Sequence, residues 1–395
     1  MNDWWQREGL NYEAGNLYFE GQSVQENVQF YDRPTFLYSR SRIQSNINRL
    51  KVSLEGLSYQ IFYALKANRF LPLITFLQEN SSLGVDVCSP GELFHALSAG
   101  FSPQEISYTA TALSPSDLNI LERVGGLRIN ADSLSSIKHI GERQFASHIG
   151  LRLNLSASLA YNDNEKLRCS GKKATKFGIY LDDIEAAIAL CKQYNLPIQR
   201  LHIHSGSGYL NASLNTFRSI VETMSSICHQ FSELQEINFG GGLGIPFEEK
   251  DHPLNLSDWS TPLHKYFPQE RGIQVQVEPG SYLVQDAGLL VLQVVEVEVK
   301  SKTCFVYLNG GLNLAPEPAF YNLILYPLPC FKPNGAMLKQ SLVGNINEPH
   351  DIWFEGVLPV LQEGDWVALI NAGAYASSMS SNHCFRGQFY ERLIQ

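Results

Sequence analysis

FYALKAN, Phe62 to Asn68, closes an apolar run that begins at Tyr59 and ends on a single lysine, Lys66. Ala67 and Asn68 break the run, and a stretch of helical pattern follows from Pro72. A lysine at the carboxyl end of a strand stands at the mouth of an α/β fold, where ligands bind. There it can act as a general base or form a Schiff base. Alone, such a lysine is more often an ordinary rim charge, so the surrounding chain has to decide.

Outward from this segment, a short β-rich run followed by an amphipathic stretch recurs. The candidate strands are Gln60 to Lys66, Leu83 to Ser89, Ile106 to Ala112, Gly126 to Asp132, His148 to Asn154, Leu201 to Ser207, Glu236 to Gly242 and Gln274 to Gly280. Helical runs accompany them at Arg42 to Leu54, Pro72 to Asn80, Gly91 to Ala99, Pro115 to Val124, Ser133 to Ile140, Asp182 to Tyr194, Leu214 to Phe231 and Leu256 to Tyr266. Ser114-Pro115 and Asp132-Ser133 carry capping signals. This alternation, with no GxGxxG after the first strand, predicts an α/β fold built on a closed (β/α)8 TIM-type barrel.

After Gly280 the texture changes. Leu289 to Lys300 ends in strict alternation, and β-like runs follow at Cys304 to Leu308, Leu323 to Leu328, Ser341 to Gly344, Ile352 to Val357 and Trp366 to Asn371. These predict a second, all-β domain. Residues 1–33, with a strand candidate at Asn16 to Glu20, are expected to join it. The expected division is a barrel over 34–282 and a β-domain from 1–33 plus 283–395.

Of 395 residues, 44% are hydrophobic and 17% charged, which fits a well-cored protein. A net charge of -9 disfavours a nucleic-acid partner. No apolar run is long enough for a membrane span, and MNDWWQREG lacks an export signal, so a cytoplasmic enzyme is expected. The seven cysteines form no disulfide framework, and no His or Cys spacing predicts a metal site.

The predicted strand ends are polar and glycine-rich: Lys66, Asp86 with Ser89, His204 with Ser207, Gly240 to Gly242, and Glu278 with Gly280. Each has a plain structural reading as a turn or a satisfied core residue. Together they supply a Schiff-base lysine, an anion cradle of backbone N–H groups and a carboxylate, the inventory that pyridoxal 5'-phosphate requires.

FYALKAN, GVDVCSPGEL, LRLN, KFGI, HIHSGSG, INFGGGLG, VEPG and GAYASSMSSN occur in an order that resembles the fold-type III pyridoxal-phosphate decarboxylases, which include diaminopimelate and ornithine decarboxylases. The resemblance runs from about Tyr12 to the carboxyl terminus. It implies that Lys66 carries the cofactor, that His204 stacks on its ring and that Glu278 keeps the ring nitrogen protonated. It further implies that Asp86 lies at the cofactor, and that Ser207, Gly241, Gly242, Gly280 and Tyr375 take its phosphate. A head-to-tail homodimer with shared active sites is implied as well, in which the segment around Asn347 and Glu348 serves the partner's lysine.

Three positions depart from the diaminopimelate pattern. EPGR reads Glu278-Pro279-Gly280-Ser281, and R-P-x-L-Y reads Glu317-Pro318-Ala319-Phe320-Tyr321. Two anion-binding arginines are therefore absent, and Glu317 would meet a distal carboxylate as a like charge. C-E-x-x-D reads Asn347-Glu348-Pro349-His350-Asp351, which removes a proton-donating thiol, and Asn347 cannot replace it as an acid. His383 stands where an aromatic is more usual, near the substrate with Tyr321 and Glu348. The expectation is decarboxylation of a basic or diamino acid with a cationic tail. The alternatives are diaminopimelate decarboxylase proper, a racemase and a non-catalytic regulatory relative.

Overall fold

The computed structural model describes residues 4–171, 173–331 and 336–395. Eight parallel strands, Tyr59–Ala64, Gly84–Val87, Ile106–Thr109, Arg128–Ala131, Ile149–Asn154, Ile198–His202, Glu236–Asn238 and Gln274–Val277, pair in chain order. Val275 pairs with Tyr59, so the ring closes as the expected barrel. Several strands are buried along their whole length, as parallel strands covered on both faces must be.

Helices cover the ring with one apolar face each. Leu134–Arg143, for example, buries Ile137 and Ile140. The Ser114 and Ser133 hydroxyls accept the N–H groups of Asp117 and Ser136. Ser133 rather than Asp132 is the cap. Asp132 is buried and accepts from Arg152 at 2.8 Å and from the Gly178 N–H at 2.9 Å.

The barrel floor holds a charged network. Arg200, 1% exposed, donates to Glu236 at 2.6 Å and to Asn130 at 3.1 Å, and Arg128 also pairs with Glu236. Burial lowers the Arg200 pKa, and Glu236 opposes that shift. Arg200→Met leaves Glu236 with Arg128 as its sole guanidinium. A loss of about 3 kcal/mol is expected in denaturant unfolding.

The second domain is mostly sheet, with eight strands. Its spine is Gly288–Lys300, which pairs with Thr303–Leu308 and Trp366–Ile370. Two expectations need correction. Thr35–Ser39, inside a barrel drawn from residue 34, pairs antiparallel with the spine and parallel with Tyr390–Ile394, so the barrel begins at helix Arg40–Leu54. Strands Leu10–Glu13, Asn16–Phe19 and Gln22–Ser23 form their own small sheet. It reaches the large domain through an Asn16–Phe331 bridge and the Leu17 N–H on the Cys330 carbonyl. The run at Leu323 to Leu328 is a strand only over Pro327–Pro329. A short helix, Glu317–Tyr321, is inserted in this mostly sheet domain.

Candidate active site

The first barrel strand ends at Ala64, and Lys66 lies in the 3-10 turn Leu65–Ala67 that follows. This turn is clamped from the second domain. Tyr375 N–H and the Ser378 hydroxyl both donate to the Ala67 carbonyl, at 2.8 and 3.0 Å, and the Asn68 amide donates to Gly373 at 2.9 Å. The lysine side chain is left free to enter a cavity of about 540 Å³ between barrel mouth and β-domain.

Asp86, His204, Ser207, Gly242, Glu278, Gly280, Glu317, Tyr321 and Tyr375 border that cavity with Lys66. The structure thus brings together most of the residues singled out in the sequence. Gly241 does not border it; a Cβ there would strike the Glu278 carbonyl, so its role is close chain approach. Ser89 caps helix Pro90–Ser98 instead. Asn347, Glu348 and His383 lie outside it, with His383 3.2 Å from Glu348.

Glu278 is buried and accepts from Asn238 at 2.7 Å and Ser107 at 3.2 Å, while His202 Nε2 lies 2.9 Å away. Burial works against its charge, yet His202, Lys66 and His204 hold its pKa down to about 2. Asp86 is its opposite. Burial, then the Glu278 charge, raises the Asp86 pKa well above the usual range, with Lys66 opposing. The two neighbouring carboxyls are thus shifted in opposite directions by their environments.

Burial disfavours the Lys66 charge, but Tyr375, Asp86, Cys88 and Glu278 more than offset it and raise its pKa. His204 is kept neutral by burial and by the Lys66 and Arg152 charges, which lower its pKa. A neutral imidazole is suited to stacking. At the far side, Glu317 is buried with Gln285 donating at 3.2 Å, and burial pushes its pKa up to about 8.

Sequence reasoning missed His202, Arg152, Lys166 and Lys176. The first had a signal: HIH places a second histidine two residues before His204. Arg152 lies within the strand that carries LRLN, and Lys176 begins KFGI.

Residues 40–285 match the family described as pyridoxal-dependent decarboxylase, pyridoxal binding domain. The chain belongs to this family. As a pyridoxal-dependent decarboxylase it is an amino-acid lyase that uses pyridoxal phosphate. It is 31% identical over 399 residues to a diaminopimelate decarboxylase of Methanothermobacter thermautotrophicus, covering 97% of this chain and 91% of that one. A Pseudomonas fluorescens diaminopimelate decarboxylase is 27% identical, with 98% and 94% covered. Two solved structures share the fold. Helicobacter pylori diaminopimelate decarboxylase complexed with L-lysine has a TM-score of 0.84 at 24% identity, with 94% of each chain covered. The Paramecium bursaria Chlorella virus arginine decarboxylase bound to agmatine has 0.82 at 19%, with 94% and 100% covered.

The residues present fit the cofactor. Asp86 Oδ1 is buried without a hydrogen-bond partner, so the cavity wall awaits a polar group. Gly242, at φ +99°, brings its backbone so near the Gly206 carbonyl that a Cβ would collide with it. Ser207 and Gly280 border the cavity beside it, a setting in which backbone N–H groups suit an anion. Among the described residues no His, Cys, Asp and Glu group could hold a metal ion, and no helix is long and apolar enough to cross a membrane.

Proposed function

We propose that this decarboxylase acts on a diamino acid whose distal ammonium is received by Glu317. The supporting observation is the buried Glu317 carboxyl on the cavity wall, with Gln285 as its hydrogen-bond partner. An uncompensated buried acid awaits a cation. In this reading Lys66 holds the cofactor covalently, His204 packs flat on its ring, Glu278 retains a proton on its ring nitrogen, and Ser207, Gly242, Gly280 and Tyr375 take its phosphate. Bound there, pyridoxal phosphate supplies the electron sink for the pair left by departing carbon dioxide.

The sign of a pH dependence follows. Below about 8 Glu317 keeps its proton, and an ammonium must displace it. The KM for a cationic-tailed substrate therefore falls by up to about tenfold per unit as pH rises toward 8, then levels. Glu317→Gln removes that slope. A KM that is flat with pH in the parent enzyme, or the same slope in Glu317→Gln, contradicts the assignment.

A second reading is favoured by Lys166 and Lys176, which border the cavity with no carboxylate partner among the described residues. They suit a tail that carries a carboxylate beside its ammonium, as diaminopimelate does. Turnover of ornithine, lysine and diaminopimelate separates the two: efficient turnover of diaminopimelate alone rejects a purely cationic tail.

Asn347, Glu348 and His383 are read as serving the cavity of a second copy in a homodimer, because they do not reach their own. Asn347→Cys is expected to shift product partitioning from transaminated carbonyl toward amine, measured by chromatography of both products; unchanged ratios count against this position.

A further inference from the structure

A second, smaller cavity of about 190 Å³ lies behind the catalytic wall, between the amino-terminal segment, helix Arg40–Leu54 and the chain after Gly280. Arg7, Arg42, Arg49, Tyr282, Asp286 and Asn371 line it, three guanidiniums against one carboxylate. That carboxylate is already engaged. Asp286 accepts twice from Arg42, at 2.5 and 3.0 Å, and from Asn46 at 2.8 Å. Two further carboxylates, Glu8 and Glu20, border the adjoining groove with Arg42 and Arg49, and Glu20 accepts from the Ser39 and Ser41 hydroxyls at 2.6 and 2.5 Å.

Two guanidiniums are left over. Among the described residues Arg7 reaches the Trp5 carbonyl alone, at 3.5 Å, and its buried Nη2 has no partner. Burial lowers its pKa to about 10, with the Asp286 charge opposing and Arg42 adding to the shift. Arg49, an exposed side chain at the rim of the cavity, lies over the Tyr282 ring at 5.9 Å and has no carboxylate partner among the described residues. Tyr282 is 4% exposed, and its hydroxyl also lacks a partner. Buried donors of this kind are normally satisfied. Asn371 Oδ1 is a buried acceptor without a donor. The missing ligand thus has oxyanion character and one hydrogen-bond donor.

We propose that this cavity is a binding site for a small oxyanion carrying a donor, a hydrogen phosphate or a hydroxy-carboxylate, held by Arg7, Arg49 and the Tyr282 hydroxyl. The site shares a wall with the catalytic cavity. Ser281 and Gln285 face the catalytic side, while Tyr282 and Asp286 face the basic side, on one continuous helical turn. Gln285 is the residue that bonds Glu317, so occupancy of the basic site is felt as a change in amino-acid KM and not as competition. The site itself stands independently of the Glu317 substrate reading.

The test is calorimetric titration of the holoenzyme, whose own cofactor fills the phosphate cradle, with inorganic phosphate and separately with malate. Saturable binding of at least one is expected, weakened about tenfold or more in Arg49→Met and in Tyr282→Phe. Both variants should keep the anion-free decarboxylase rate, since neither side chain borders the catalytic cavity. Saturation by phosphate alone assigns a phosphate ligand, and saturation by malate alone assigns a carboxylate. Absence of saturable binding by both, or the same affinity in parent and variants, overturns the proposal.

Discussion

Lys66→Ala is expected to lower kcat by about 10⁴-fold or more and to abolish covalent retention of the cofactor after borohydride treatment. The lysine borders the cavity with Ala64, while its neighbours Leu65 and Ala67 are buried away from it. Removing it deletes chemistry and no core packing. The apoprotein should keep its unfolding midpoint, because the turn is held by backbone and Asn68 bonds to Gly373, Tyr375 and Ser378. Mass spectrometry of the reduced parent should find the added mass on the peptide that contains Lys66. Retained turnover in Lys66→Ala, or modification elsewhere, would sink the assignment.

How much of this was legible in the sequence depends on the physics each feature uses. The eight strands and their helices were readable because burial on both faces of a parallel strand, or on one face of a helix, imposes a local pattern. Strand ends were less so. Expected strands ran on to Lys66, Ser207 and Glu278 or beyond, but pairing stops at Ala64, His202 and Val277, and the chemistry sits on the turns just past the ladder. Thr35–Ser39 misled for a different reason. Its five buried residues look like any barrel strand, and the partners that claim it lie at Gly288–Val291 and Tyr390–Ile394. Pairing across such separations leaves no local trace.

The site divides the same way. Lys66, His204 and Glu278 were nameable because motif order restricts them. Glu317 was nameable as a departure, but its burial and its single partner, Gln285, are properties of tertiary packing. His202 escaped because one histidine in HIH satisfied the expected role. The structure gives the other a different one, positioning Glu278. Asn347, Glu348 and His383 form a group in sequence reasoning and remain near one another in space, away from the lysine of their own chain.

Glu278→Gln carries the second large effect, a fall in kcat of about 10² to 10⁴-fold, roughly 3 to 5 kcal/mol of transition-state stabilisation. The substitution keeps the size of the side chain and removes its charge. Three donors converge on the carboxylate, from His202, Asn238 and Ser107, and an amide nitrogen cannot accept from any of them. Because Glu278 stays ionised down to about pH 2, the parent enzyme should show no acid limb from this group in its kcat profile between about pH 5 and 8. The variant changes its neighbour too. Glu278 is the second cause, after burial, of the raised Asp86 pKa, so removing its charge lets Asp86 ionise at lower pH. Glu278→Asp, which keeps the charge but draws it back from His202, should recover part of the rate, whereas Glu278→Gln with Asp86→Asn should recover none. Full activity in Glu278→Gln, or equal losses in the Gln and Asp variants, would show that shape rather than charge is what the site requires at this position.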